Sequence, residues 1–238
     1  MNILKTALHF CLPIAIFSLL LTTQVAVAIP NTFTANYTVA KGSLTLGNLH
    51  TSLKVSGGKY SYHKYTKATG LAALLTKIKI IENTDGTISG STIKPTSYLL
   101  NKSQRRKSKI DRVQFLNNRV NGNYKGKSYN LAIAGNTQDR ASLELVLARD
   151  LALNKSKLSY PVIESGKKKY YNFQRLGNEK TKTPAGTFNT IKVKVQRSGN
   201  TRETILWLGK EIDYMPVKIY HREKKDVITT VLKNYKKT

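Results

Sequence analysis

The sequence predicts a mainly β protein: one large curved antiparallel sheet, a half-barrel or open barrel, packed on a single α-helix, plus one short helix. Three observations carry this. Apolar and polar residues alternate with period two through much of the chain, as in residues 32–39, where Phe33, Ala35, Tyr37 and Val39 share one face and Thr32, Thr34, Asn36 and Thr38 the other. Turn-forming clusters interrupt these runs at short intervals. A single long stretch, residues 139–154, carries apolar residues at helical spacing. A sheet of roughly ten or more strands must curl or close, because wide flat sheets are unfavourable.

In chain order, residues 32–39 form the first strand. Leu44 and Leu46 begin a second, whose parity slips at Gly47-Asn48 before Leu49, Thr51, Leu53 and Val55 resume it, predicting a bulge or tight turn. Residues 59–67 follow as a strand bearing Tyr60, Tyr62 and Tyr65, and residues 68–75 (ATGLAALL) read as a brief helix or capping loop. Strands are predicted over 77–82, 87–93, 97–103, 110–116, 119–124 and 128–133. Turns are expected at Asn83-Thr84-Asp85-Gly86, Asn117-Asn118 and Lys125-Gly126, whose residues tolerate positive φ. The helix over 139–154 opens on Asp139, an N-cap residue type, presents Leu143, Val146, Leu147, Asp150 and Leu151 on one face, and stops at Asn154. At about 1.5 Å per residue it spans roughly 24 Å, enough to cross one face of the sheet. Residues 155–168 read as irregular.

The C-terminal third returns to strands. Residues 169–176 carry Tyr171 and Phe173, Thr183-Pro184-Ala185-Gly186 is a turn with proline preset at its second position, and residues 188–196 alternate Ile191, Val193 and Val195 against Lys192 and Lys194. A hairpin turn is expected at Ser198-Gly199-Asn200. Residues 202–208 hold the single tryptophan, Trp207, on the opposite face from Leu206 and Leu208. With both faces apolar, that strand is expected to be central, covered by the helix on one side and facing a cavity on the other. Residues 209–216 turn the chain, 217–222 form a strand, 223–226 a turn and 227–235 the last strand.

Residues 1–28 read as a secretory signal peptide: a cationic start with Lys5, an apolar run over 7–21 interrupted by Pro13, and Ala26-Val27-Ala28 as a small-x-small cleavage pattern. The remaining residues, 29–238, are expected to form a single β-rich domain in the periplasm or outside the cell. The lone cysteine, Cys11, lies inside the signal, behind bulky Leu8-His9-Phe10, so the exported chain has neither disulfide nor thiolate site and lipidation is not expected. Loss of Lys5 leaves 39 basic against 13 acidic residues, a formal charge of +26. Such a field concentrates polyanions, which in an envelope are lipid head groups, lipopolysaccharide phosphates and acidic glycans; export argues against nucleic acid. The densest run, residues 102–109 (KSQRRKSK), makes Arg105 and Arg106 candidates for phosphate contact in an exposed loop, and peripheral membrane contact is compatible with it.

No catalytic constellation stands out. His50, His63 and His221 lack any metal-binding spacing, so neither a metal nor a cofactor is expected. Ser142, Asp139 and a histidine fall outside a G-x-S-x-G elbow, and the carboxylates Asp111, Asp139, Glu144 and Asp150 form pairs that spacing does not distinguish.

The run Thr183-Pro184-Ala185-Gly186-Thr187-Phe188, then Trp207-Leu208-Gly209 and Asp213-Tyr214-Met215-Pro216-Val217, resembles the exported bacterial family called domain of unknown function 3108, with its TP-x-G-x-[FY] turn, W-hydrophobic segment and YxPV strand. Gln138-Asp139-Arg140-Ala141-Ser142 at a helix start, and Gly42 and Gly47 near the first strands, fit the same pattern. The resemblance marks Asp139, Ser142, Pro184, Gly186 and Pro216 as structural motif positions. It implies export and a build similar to periplasmic carriers of the LolA and LolB type. These readings together lead us to expect a noncatalytic binding protein for an amphiphilic or anionic envelope component (lipid, lipopolysaccharide or glycan). Apolar parts would lie on the concave face near Trp207 and Tyr62, with head groups at Arg105 and Arg106. The rival expectations are a periplasmic enzyme acting on glycans and a surface polyanion-binding or adhesion module.

Overall fold

The computed structural model describes residues 30–197 and 201–238. The expected signal over 1–28 and the expected turn at Ser198-Gly199-Asn200 lie outside the described residues. The strands are β1 (Phe33–Lys41), β2 (Leu44–Ser56), β3 (Lys59–Ala68), β4 (Lys79–Ser89), β5 (Thr92–Gln104), β6 (Lys107–Phe115), β7 (Arg119–Tyr124) and β8 (Lys127–Ala132), then β9 (Ser159–Glu164), β10 (Lys167–Thr183), β11 (Gly186–Gln196), β12 (Arg202–Gly209), β13 (Met215–Glu223) and β14 (Asp226–Lys237). Helix α1 (Gly70–Thr76) joins β3 to β4, and α2 (Arg140–Ala152) joins β8 to β9. All strands lie in one antiparallel sheet ordered β8-β7-β6-β5-β4-β3-β2-β1-β14-β13-β12-β11-β10-β9. The meander therefore runs outward from β1 in one direction and from β14 in the other, and α2 links its two edges.

Register explains the alternation. Directly opposed residues share a face, and one row runs Phe33, Leu53, Tyr62, Thr84, Tyr98, Val113, Gly122 and Tyr129 across β1 to β8. On the other side Thr230, Ile219, Leu206 and Val193 continue this inner face. Helix α2 sits against it, packing on β4, β5, β9 and β13. Its burial corrects the expected single stripe: Ala141, Leu145 and Ala148 are buried along with Leu143, Val146, Leu147 and Leu151. A helix buried nearly all round is an interior element. It does not cross one face of a flat layer; the sheet wraps it. Asn154, in the left-handed region, ends it as expected, with the Lys155 amide returning to the Asp150 carbonyl.

Backbone pairing leaves the sheet open, and side-chain and bridge contacts tie its two ends to neighbouring segments. Gln138 forms a parallel bridge to Val162 of β9, donating to Pro161 O and accepting from Ile163 N, both at 2.9 Å. Near the other edge, Asp111 accepts from the Tyr129 hydroxyl at 3.0 Å and from the Ser165 amide of the β9–β10 turn at 2.7 Å. The Gln138 bridge occupies part of the β9 edge that would otherwise be open to pairing, and the Asp111 bonds tie β6 and β8 to the β9–β10 turn.

Three local expectations fail. Asn83-Thr84-Asp85-Gly86 is the interior of β4, and the real turn is at Gly90-Ser91, inside the expected strand 87–93. Gly86 is small because a β-carbon there would lie 2.2 Å from Lys94 O and 2.5 Å from the Tyr60 ring, so close approach, not turn geometry, selects it. Residues 155–168 contain β9, and the strand expected over 169–176 extends through Thr183. The slip at Gly47-Asn48 corresponds to a register shift in β2, where Val39 faces Gly47 and Ala40 faces Thr45.

Candidate functional site

The start of α2 is fixed by a capping box. Asp139 accepts from the Ala141 and Ser142 amides at 2.8 and 2.9 Å, and the Ser142 hydroxyl accepts from the Asp139 amide at 3.0 Å. The second carboxylate oxygen accepts from Thr84 and Ser142 hydroxyls at 2.7 and 2.9 Å. Burial outweighs these bonds and pushes the Asp139 carboxyl up to about 6.

Beside this cap, charges alternate along the helix flank. Lys64 pairs with Glu144 and lies 4.0 Å from Glu82; Arg140 lies 3.8 Å from Glu82 and 3.3 Å from Glu164; Lys169 pairs with Glu164 at 2.7 Å. The hydroxyls of Tyr62, Tyr98 and Tyr171 donate to Glu144, Glu82 and Glu164. Burial disfavours the Glu82 charge, but Arg140, Lys64 and Tyr98 outweigh it and hold the carboxyl below the usual range; Lys169 and Arg140 do the same for Glu164 against its own burial. Three cations and three carboxylates balance. Glu82 and Glu164 converge on Arg140, so this convergence is an ion-pair ladder, with neither carboxyl held protonated as an acid catalyst would be.

Along α2, a cleft of about 510 Å³ opens between the β4–β5 turn, the segment before α2, the later part of the helix and β9. Its wall includes Ile93, Gln138, Val146, Arg149, Asp150, Lys155, Lys157 and Tyr160. Asp150, 4 % exposed, organises the floor: it is 2.6 Å from Arg149 Nη2 and 3.0 Å from Lys155 Nζ, and accepts from Tyr160 at 3.1 Å. Arg149 also donates to Ser91 O at 2.6 Å, which pins the β4–β5 turn to the helix. Three cations against one carboxylate leave the cleft at a formal +2, and Lys157 has no carboxylate partner among the described residues. Gln138, 2 % exposed, donates its amide to Ile93 O and Asn136 O while its Oε1 lacks a partner. A buried acceptor left unpaired is costly and marks a place for a donor.

The structure separates the residues singled out from the sequence. Tyr62 is interior, donating to Glu144 at 3.0 Å. Trp207 opposes Lys192 and Lys218, placing it on the outer face and correcting the expected cavity contact. There its ring lies between their ammonium groups, at 4.9 and 4.7 Å from the centroid, and its indole donates to Glu179. Arg105 and Arg106 form the exposed β5–β6 turn, away from both. The apolar concave face expected to hold cargo is occupied by α2. Asp139 and Ser142 form the cap. Pro184 lies between β10 and β11, where the Thr183 hydroxyl accepts from Ala185 N and donates to Gly186 O; Pro216 is buried in β13 beside a bulge between Trp207 and Leu208. Among the described residues no three His, Cys, Asp or Glu side chains converge to hold a metal, and no helix is long and apolar enough to cross a membrane. Sequence reasoning missed Gln138, Arg149, Lys155 and Lys157; the one local signal was the Lys155-Ser156-Lys157 run just after the helix stop.

A family model described as protein of unknown function (DUF3108) matches residues 32–233. No curated protein matches the chain. Among solved structures, the β-barrel-like protein of domain of unknown function DUF1849 from Brucella abortus aligns with a TM-score of 0.58 at 8 % identity, over 87 % of this chain and 98 % of that one. A candidate lipoprotein from Parabacteroides distasonis aligns with a TM-score of 0.35 at 10 % identity, over 89 % and 99 %. A candidate exported protein with a YmcC-like fold from Bacteroides fragilis gives 0.33 at 9 %, over 88 % and 98 %. The first likeness concerns fold alone.

Proposed function

The chain belongs to the DUF3108 family, and from that premise we propose that it is an exported, noncatalytic binding protein that holds an anionic, hydroxyl-bearing envelope component in the cleft along α2. The observation that carries this reading is the cleft itself: about 510 Å³, net basic, with one uncommitted ammonium at Lys157 and one unpaired buried acceptor at Gln138. A phosphate or carboxylate would meet Lys157 and Lys155, and a neighbouring hydroxyl would donate to Gln138 Oε1. Lipid head groups, lipopolysaccharide and acidic glycans share this chemistry. Ile93 and Val146 offer only a small apolar wall, so the ligand is gripped by its polar end. The pattern of residues 1–28 supports the export reading, with the periplasm or the outside of the cell as the proposed site.

Native mass spectrometry of protein purified from its own envelope fraction tests the proposal. The expected result is a co-purifying anionic lipid or glycan that is lost in a Lys157→Gln/Gln138→Leu variant which still folds. A wild-type protein that carries nothing, or a variant that retains the same adduct, refutes it.

A further inference from the structure

Among the described residues, α1 is the one helix with no buried residue. Leu71, Leu74 and Leu75 are 67 %, 72 % and 65 % exposed, and their i, i+3, i+4 spacing puts them on one side of a short helix. Three adjacent leucines left in water are not explained by core packing and mark an interaction surface.

What surrounds them identifies the partner. Lys77 caps α1 in the left-handed conformation, Lys79 follows at the start of β4, the β5–β6 turn adds Arg105 and Arg106, and the start of β6 adds Lys107 and Lys109. The Arg105 Nε donates to Leu75 O at 2.9 Å, tying the basic turn to the leucine helix. Neither residues 67–81 nor residues 101–110 contain an acidic side chain. A second copy of this surface would bring like charges together, which opposes self-association. A lipid surface with anionic head groups satisfies both halves, taking leucines at the acyl boundary and cations among phosphates. At seven residues and about 10 Å, α1 is a wedge, far too short to span.

We propose that α1 and the β5–β6 turn dock the protein peripherally on an anionic bilayer. In β4 and β5 the register sets Lys79 opposite Ser103 and Ser89 opposite Thr92, so α1 and the Arg105-Arg106 turn lie at one end of these strands and Ser91 of the cleft at the other. Docking by α1 therefore leaves the cleft facing away from the lipid. This surface is independent of the ligand reading above.

The test is flotation of residues 29–238, which exclude the apolar run over 7–21 that would itself partition, with vesicles of phosphatidylcholine alone or mixed in equal parts with phosphatidylglycerol. The protein should float only with the mixed vesicles. Leu71→Ser/Leu74→Ser/Leu75→Ser, which leaves net charge unchanged, and Arg105→Gln/Arg106→Gln should each lower the partition coefficient by about tenfold or more. Circular dichroism confirms that each variant folds. The proposal is overturned by absence of flotation, by equal flotation on phosphatidylcholine alone, by a leucine variant that floats undiminished (adsorption through net charge), or by a solution dimer that the leucine variant abolishes.

Discussion

Replacing Asp139 by Asn isolates one buried ionisation. In the folded chain this carboxyl is fully buried and its pKa is pushed up to about 6, against an ordinary 3.8. The difference corresponds to roughly 3 kcal/mol. Its sign follows from which state holds the proton. Below about pH 4 both states are protonated and the native state carries no penalty. As pH rises towards 6 the unfolded chain ionises first, so native stability falls through that window and then levels off. Glu82 and Glu164, held below the usual range, act oppositely: their contribution is present above the ordinary carboxylate value and is lost as pH falls. They remain in the variant and cancel in the difference. Asp139→Asn keeps an acceptor for the Ala141 and Ser142 amides, and the Thr84 and Ser142 hydroxyls can turn to accept from the new amide. Urea unfolding followed by circular dichroism, at steps from about pH 4 to 7, should show the variant gaining about 3 kcal/mol on wild type as pH rises. Parallel stability curves would refute the argument.

Two further outcomes follow from packing. Trp207→Leu should lower stability by about 2–3 kcal/mol in urea titrations, because it removes an outer-face ring held by Lys192, Lys218 and Glu179, while leaving ligand occupancy of the cleft unchanged. Gly86→Ala should cost about 2–3 kcal/mol or more, since its β-carbon meets a backbone carbonyl that cannot step aside without breaking the β4–β5 register; thermal melts of the variant check this.

Strand and helix identity was legible wherever local pattern and tertiary demand agree. Phe33, Ala35 and Tyr37 alternate because one face of β1 is buried, and Asp139 and Ser142 stand where a cap is needed. It failed where a residue type answers two demands. Asn83 and Gly86 carry turn propensity, but Tyr60 packs on Gly86 and the pairing of β3 and β5 on either side keeps the segment extended. The face of Trp207 was ambiguous because its flanking lysines lie across the ring as cations, so an apolar residue could sit outside. The cleft was illegible because it joins the β4–β5 turn, the stretch before α2, the end of α2 and β9, which only the wrapped sheet brings together. The charge ladder escaped notice because Glu82, Arg140 and Glu164 are far apart in sequence.

The pairing of β1 with β14 has a kinetic consequence. Asn36 and Asn234 bond across it although 198 positions separate them. The first strand made must therefore wait for the last before the sheet can be continuous, and α2 cannot be enclosed until then. Contacts so distant form slowly because chain entropy must be lost before they stabilise anything. Each half of the meander is born with an open side, β1 on one and β13 on the other, exposed to any other strand until β14 fills the gap. With this wiring, the described sheet becomes continuous only once β14 has been made and has paired with both β1 and β13.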